Sequence, residues 1–120
     1  MAFAFQKMDV YRASMEFVSF AKKVSDDLPR GSANLRDQIM RAATSITLNI
    51  AEGSGKRHRD DKRRYYGSAL GSVSECVAVL EIMGAIELAP KERLAEGDAL
   101  LNRINAMLLK LDEAVARRDA

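Results

Sequence analysis

Residues 66–84 read YGSALGSVSECVAVLEIMG, and residues 94–115 read LAEGDALLNRINAMLLKLDEAV. In the first stretch Tyr66, Leu70, Val73, Val77, Leu80 and Gly84 follow at intervals of 4, 3, 4, 3 and 4 residues. In the second, Leu94, Gly97, Leu101, Ile104, Leu108, Leu111 and Val115 follow at 3, 4, 3, 4, 3 and 4. A mean period of about 3.5 residues is the seam of helices packed in a left-handed supercoil. Two long helices lying against each other are therefore predicted, the first about 25 residues and roughly 38 Å long at 1.5 Å per residue.

The same periodicity extends towards the N-terminus. Val10, Phe17, Val18, Ala21, Val24 and Leu28, with Ala13 and Ser14, form one apolar stripe that Pro29 and Gly31 should end. Ser32 or Asn34 can cap a second helix carrying Ile39, Ala42, Ala43, Ile46 and Ile50, which Gly53 and Gly55 should close. Asp60 and Asp61 suit the positive end of the third helix, and Pro90 suits the first turn of the fourth. With short connections and no alternating strand pattern, the expected fold is all-α: an antiparallel up-down-up-down four-helix bundle, left-handed, forming a single domain over residues 1–120.

Composition narrows the chemistry. The chain has 120 residues, 48% of them apolar, with 19 Lys and Arg against 17 Asp and Glu, one Cys and one His. Such a chain fills one core and buries about two thirds of its unfolded surface. Cys76 has no intramolecular partner, zinc ribbons and fingers need clusters of Cys and His, and one Cys and one His leave little for nucleophilic or metal chemistry. No cofactor, no metal and no catalytic residue is expected. The uncharged run Ala42–Ala51 contains Thr, Ser and Asn and falls far short of the roughly 20 apolar residues of a bilayer span, so no membrane helix is expected. The N-terminus reaches a charge at Lys7 before any signal-like apolar stretch, which points to the cytoplasm.

Three groups of residues depart from the amphipathic pattern. Gln38, Arg41, Ser45, Asn49 and Glu52 form a polar stripe beside the apolar face of the second helix, and Ser68, Ser72 and Glu75 do the same on the third. A hairpin folding near Arg57 sets Arg41 opposite Ser72 and Glu75, and Ser45 opposite Ser68. A half-buried Arg41–Glu75 ion pair, with Gln38, Asn49 and Glu52 completing a structural polar network, is expected, because charges at that depth must be paired. A carboxylate site built from Glu52, Glu75 and His58 is the weaker reading, since di-metal bundles need a Glu-x-x-His motif that is absent. Gly67 and Gly71 in the interior of the third helix each cost about 1 kcal/mol relative to Ala. Close backbone approach, to the second helix or to another subunit, would offset that cost.

The third group is basic. Lys56–Arg64 holds six Lys and Arg against two Asp in a chain whose total charge is +2. Lys56, Arg57, Arg59, Lys62, Arg63 and Arg64 are candidate phosphate contacts, and Tyr65 is a candidate stacking ring, with Tyr66 assigned to the core seam. The sequence pI near 8.8 is in the same sense.

The run DQIMRAATSITLNIAEGSGK over residues 37–56, followed by Tyr65, Tyr66, Ala69, Gly71, Ser72 and Glu75, resembles the bacterial four-helix-bundle family that includes the proteins encoded in 23S ribosomal RNA intervening sequences. Gln38, Ile39, Arg41, Ala42, Ser45, Ile46, Asn49, Ile50, Ala51, Glu52 and Gly53 fall in register with the family pattern. Thr47 stands where the family commonly has Pro, so a less kinked second helix is expected. The resemblance implies a ring-like homopentamer with no established enzymatic activity. Relatives of similar fold are accessory proteins of diversity-generating retroelements, in which a basic pentameric barrel binds nucleic acid and a reverse transcriptase.

The leading functional expectation is thus a non-enzymatic oligomer whose basic turns contact RNA or another nucleic acid. Five copies of the turn would gather roughly twenty net charges on one rim. A purely structural or protein-interaction oligomer, including one that works with a reverse transcriptase, is the alternative. Phe3, Phe5, Leu88 and Met107 are apolar positions that a lone bundle leaves uncovered, and they favour oligomerisation in either case.

Overall fold

The computed structural model describes residues 2–118. A short 3-10 turn, Ala4–Lys7, precedes four helices: α1 Asp9–Asp27, α2 Ala33–Gly55, α3 Arg59–Ala85 and α4 Lys91–Ala116. Each helix packs on its neighbours in sequence, and α1 closes the ring on α4, while neither diagonal pair meets. Every crossing contact is antiparallel. Ser14 lies against Thr47, Ser45 against Ser72, Arg63 against Asp112 and Phe20 against Gly97. The result is the expected up-down-up-down bundle, an elongated body of 50 × 26 × 21 Å.

Local chemistry sets the boundaries. Leu28 leaves α1 with extended backbone, as the residue before Pro29 must. Arg36 then reaches back from α2, its Nε donating to Ser25 O at 2.9 Å and its Nη2 to Leu28 O at 2.9 Å, so a cation satisfies the free carbonyls at the α1 C-terminus. Ser32 occupies the N-cap of α2 but makes no side-chain cap bond. α2 runs unbroken through Thr47, whose buried hydroxyl donates to Ser14 Oγ at 3.0 Å, and Ser14 in turn donates to Tyr11 O at 2.6 Å.

The core contains the apolar positions expected on α1, α2 and α4, with Phe20 added on α1 and with Val18 on α1 and Leu111 on α4 only partly buried. On α3 the register differs. Tyr66, Val73 and Leu80 are buried as predicted, but they alternate with Ala69, Cys76 and Met83, while Leu70 and Val77 sit at the margin and Gly84 is exposed. The apolar stripe of α3 is wide enough to satisfy either phase of the heptad, and simultaneous packing against α2 and α4 selects one.

α3 departs from the membrane expectation in length and composition only, as a helix packed in a bundle can also do. It holds an 18-residue window of mean hydropathy 1.4, which by length and composition is long and apolar enough to cross a bilayer. Counting uncharged runs missed it because Glu75 and Glu81 interrupt the stretch. Only 33% of that window is buried within the bundle, which leaves an exposed face of small and apolar residues.

Candidate nucleic-acid interface

The α2–α3 turn lies at one end of the bundle, and the fold consumes several of its cations. Lys62 Nζ donates to Gly53 O at 3.3 Å and Ser54 O at 3.0 Å, closing the α2 C-terminus as Arg36 closes that of α1. Partial burial, and then the charge of Arg118, lower its pKa from the ordinary lysine value. Arg63 forms a two-pronged pair with Asp112 of α4, Nε to Oδ1 at 3.0 Å and Nη2 to Oδ2 at 3.1 Å. The hydrogen bond to Asp112, and then its charge, raise the pKa of Arg63 further. Arg59 Nη1 donates to Arg118 O at 3.1 Å, tying the turn to the end of α4.

The remaining candidates are freer. Arg57 is exposed and forms no ion pair among the described residues. Lys56 pairs with Glu52 at 3.6 Å, and Arg64 pairs with Asp61 at 3.5 Å. Surface pairs of this kind contribute less than about 1 kcal/mol and open readily. Lys56 and Arg64 also lie over the Tyr65 ring, 5.2 and 5.1 Å from its centroid, so the predicted stacking surface is already engaged by two cations. Tyr66 is 2% exposed, as its seam position required.

Arg117 and Arg118 join this end, both exposed. The reading of the turn as a local charge run missed them. The signal was available: in an up-down bundle the fourth helix must finish at the end where the second turns into the third, so an Arg-Arg pair after α4 belongs to the same surface.

The polar stripe is only partly assembled. Ser45 Oγ and Ser72 Oγ share a hydrogen bond of 2.8 Å, and Asn49 Nδ2 donates to Ser45 O at 2.8 Å and Ser45 Oγ at 3.1 Å. The hairpin folds about His58 and Arg59 instead of Arg57, so Ser45 meets Ser72, not Ser68. Gln38, Arg41, Glu52 and Glu75 are exposed and lie outside this network. The expected half-buried Arg41–Glu75 pair is absent, because both side chains sit on the outer edge of the α2–α3 seam, where water solvates them. Among the described residues, no three of His, Cys, Asp and Glu converge on a position that could hold a metal ion. Cys76 is buried, and burial and then the charge of Glu75 push its thiol up to about 12, which removes its thiolate chemistry near neutral pH.

Gly67 and Gly71 have no atom within 4 Å of where a Cβ would stand, so approach of α2 does not explain them. Close packing instead requires Gly53, against the Tyr66 ring at 2.7 Å, and Gly97, against the Phe20 ring at 2.6 Å.

The family model for the 23S rRNA-intervening sequence protein matches residues 6–110. The fold is similar to the crystal structure, at 1.70 Å resolution, of a protein of unknown function from the S23 ribosomal protein family of Bacteroides thetaiotaomicron VPI-5482. The TM-score is 0.81 at 25% identity, over 86% of this chain and 97% of that one. No curated protein matches the chain.

Proposed function

Because the chain belongs to the 23S rRNA-intervening sequence protein family, we propose that it is a non-enzymatic cytoplasmic homo-oligomer, a pentamer, that binds RNA or another nucleic acid through its basic end. The observation that carries this reading is the cluster of Arg57, Arg64, Arg117 and Arg118 at that end, exposed and largely free of the bonds that hold the fold together. Phosphate contacts need such cations, and an oligomer repeats them on one rim. Neither the family nor the structural relative brings an enzymatic activity with it.

The test is titration of labelled single-stranded and duplex RNA and DNA at two salt concentrations, with wild type and with a variant in which Arg57, Arg64 and Arg117 are Glu. Arg59 and Arg63 are left intact, because changing them would break the links to α4 and confuse unfolding with lost binding. Wild-type affinity should fall steeply with salt as condensed counterions are released, and the variant should not bind. If wild type binds none of them at low salt, or the variant binds as well, the basic end is a solvated surface. A second reading, an oligomer with a structural role only, then takes its place, favoured by the exposed α3 face that includes Gly67, Gly71 and Ile82 and by Ile86 just beyond it.

A further inference from the structure

Resting on the nucleic-acid reading, we infer that the cleft between the N-terminal turn and the end of α2 takes an unpaired nucleobase, so that the basic end binds single strands in preference to duplexes. The cleft has a volume of about 570 Å³, within the roughly 300–1,000 Å³ of small-molecule sites. Its walls are apolar, with Phe3 and Phe5 on the turn and Leu48 and Ala51 on α2. Phe3 is 63% exposed and Leu48 is 64% exposed, two large apolar side chains bordering one opening. Phe3 is held there by a row of rings. Its centroid is 5.8 Å from that of Phe5, which meets Tyr11 edge-on at 4.9 Å.

A nucleobase has two apolar faces and a polar edge, and the cleft offers both kinds of contact. Glu52 and Lys56 also line it, their charged atoms 3.6 Å apart. The carboxylate can accept from an exocyclic amino group or a ring N–H, and the ammonium can donate to a base carbonyl or to phosphate. The Glu52–Lys56 pair leaves the cleft itself without net charge, but Lys56 begins the turn that carries the exposed Arg57 and Arg64, and the charge of that adjoining turn selects a polyanion over an apolar segment of a second copy. Tyr65, by contrast, already lies beneath Lys56 and Arg64, so the free stacking surface is Phe3. Bases in a duplex are paired and stacked and cannot enter.

The experiment compares wild type, Phe3→Ala, Phe3→Trp and Leu48→Asp against three probes at low salt: a labelled single-stranded RNA, its duplex, and an abasic oligonucleotide of the same length. Light scattering of every variant runs in parallel. Phe3→Ala should weaken single-strand binding about 5- to 100-fold and leave duplex and abasic binding unchanged, Phe3→Trp should retain it, and Leu48→Asp, which adds a negative charge beside Lys56, should lower single-strand affinity by a larger factor than duplex or abasic affinity. Unchanged single-strand affinity in Phe3→Ala, or equal wild-type affinity for abasic and single-stranded probes, overturns the cleft and leaves the basic end standing. A change in oligomer size in Phe3→Ala also overturns it, because a second copy then covers the cleft. Wild type binding none of the probes overturns both readings.

Discussion

At Gly97 an added Cβ would stand 2.6 Å from the Phe20 ring and 2.8 Å from Leu80 Cδ1, between side chains of α1 and α3. Gly97→Ala should therefore destabilise the protein by about 1 to 3 kcal/mol through overpacking, more than the roughly 1 kcal/mol gained in helix propensity. Urea unfolding followed by circular dichroism reads the difference. Cys76 couples stability to alkaline pH. Its folded pKa of about 12 lies above the ordinary 9.0, so the unfolded chain releases the thiol proton first. The stabilising contribution is complete below pH 9 and is lost as pH rises towards 12. Tyr66, raised by burial against a smaller opposing effect of Arg118, acts in the same direction, while Lys62, lowered by burial, acts in the opposite one. Melting temperature should therefore fall less steeply with alkaline pH in Cys76→Ala than in wild type. The native thiol should react with a disulfide reagent only at the rate of unfolding.

The helix ends are closed in two different ways. α3 closes with Glu87 N–H donating to Gly84 O at 3.2 Å and Leu88 N–H donating to Met83 O at 2.8 Å, the paired bonds of a left-handed helix cap. Glu87 takes φ 55° to make them. That conformation costs an L-residue about 1 kcal/mol, which glycine avoids. Glu87→Gly should accordingly raise stability by about 1 kcal/mol, and a thermal melt that shows no gain would mean the cap is not strained. The ends of α1 and α2 are closed differently, by Arg36 and Lys62 from the following helix. Each closure sets a cation on carbonyls that carry the negative end of a helix dipole. Lys62 is consequently part of the scaffold, although in sequence it looks like any other member of the basic run.

For the molecule as a whole, the decisive surface is the outer face of α3. Ile82 is 45% exposed and Ile86 58% exposed, and Gly67 and Gly71 face open space in the single chain. If helices of neighbouring copies approach closely there, as the proposed pentamer requires, light scattering at micromolar concentration should give several times 13.3 kDa. Replacing both glycines with alanine should then shrink the assembly, while in a chain that never assembles the same change only improves helix propensity, by up to about 1 kcal/mol per site. A wild-type mass of one chain would sink the proposal. The ends of the bundle also differ in charge: the end with the α2–α3 turn gathers Arg57, Arg64, Arg117 and Arg118, whereas the opposite end mixes Asp26, Asp27 and Glu87 with Arg30 and Lys91.

Periodicity alone determined that there are four helices, where they begin and end to within a few residues, and which faces of α1, α2 and α4 are buried, because those faces are narrow and their neighbours strongly polar. The density of matches over residues 37–56 marked the family for the same local reason. Tertiary structure decided what depends on facing elements. It chose Ala69, Cys76 and Met83 over Leu70, Val77 and Gly84, since the broad apolar stripe of α3 fits two registers. It set Arg41 and Glu75 outward, since the rotation of each helix about its own axis places both side chains on the outer edge of the α2–α3 seam, and only the packing of α2 and α3 on their other neighbours fixes that rotation. It divided the basic run into cations that close helix ends or bridge to α4 and cations that face water. That division rests on carbonyls and carboxylates contributed by α2 and α4, whose positions no spacing within residues 56–64 records.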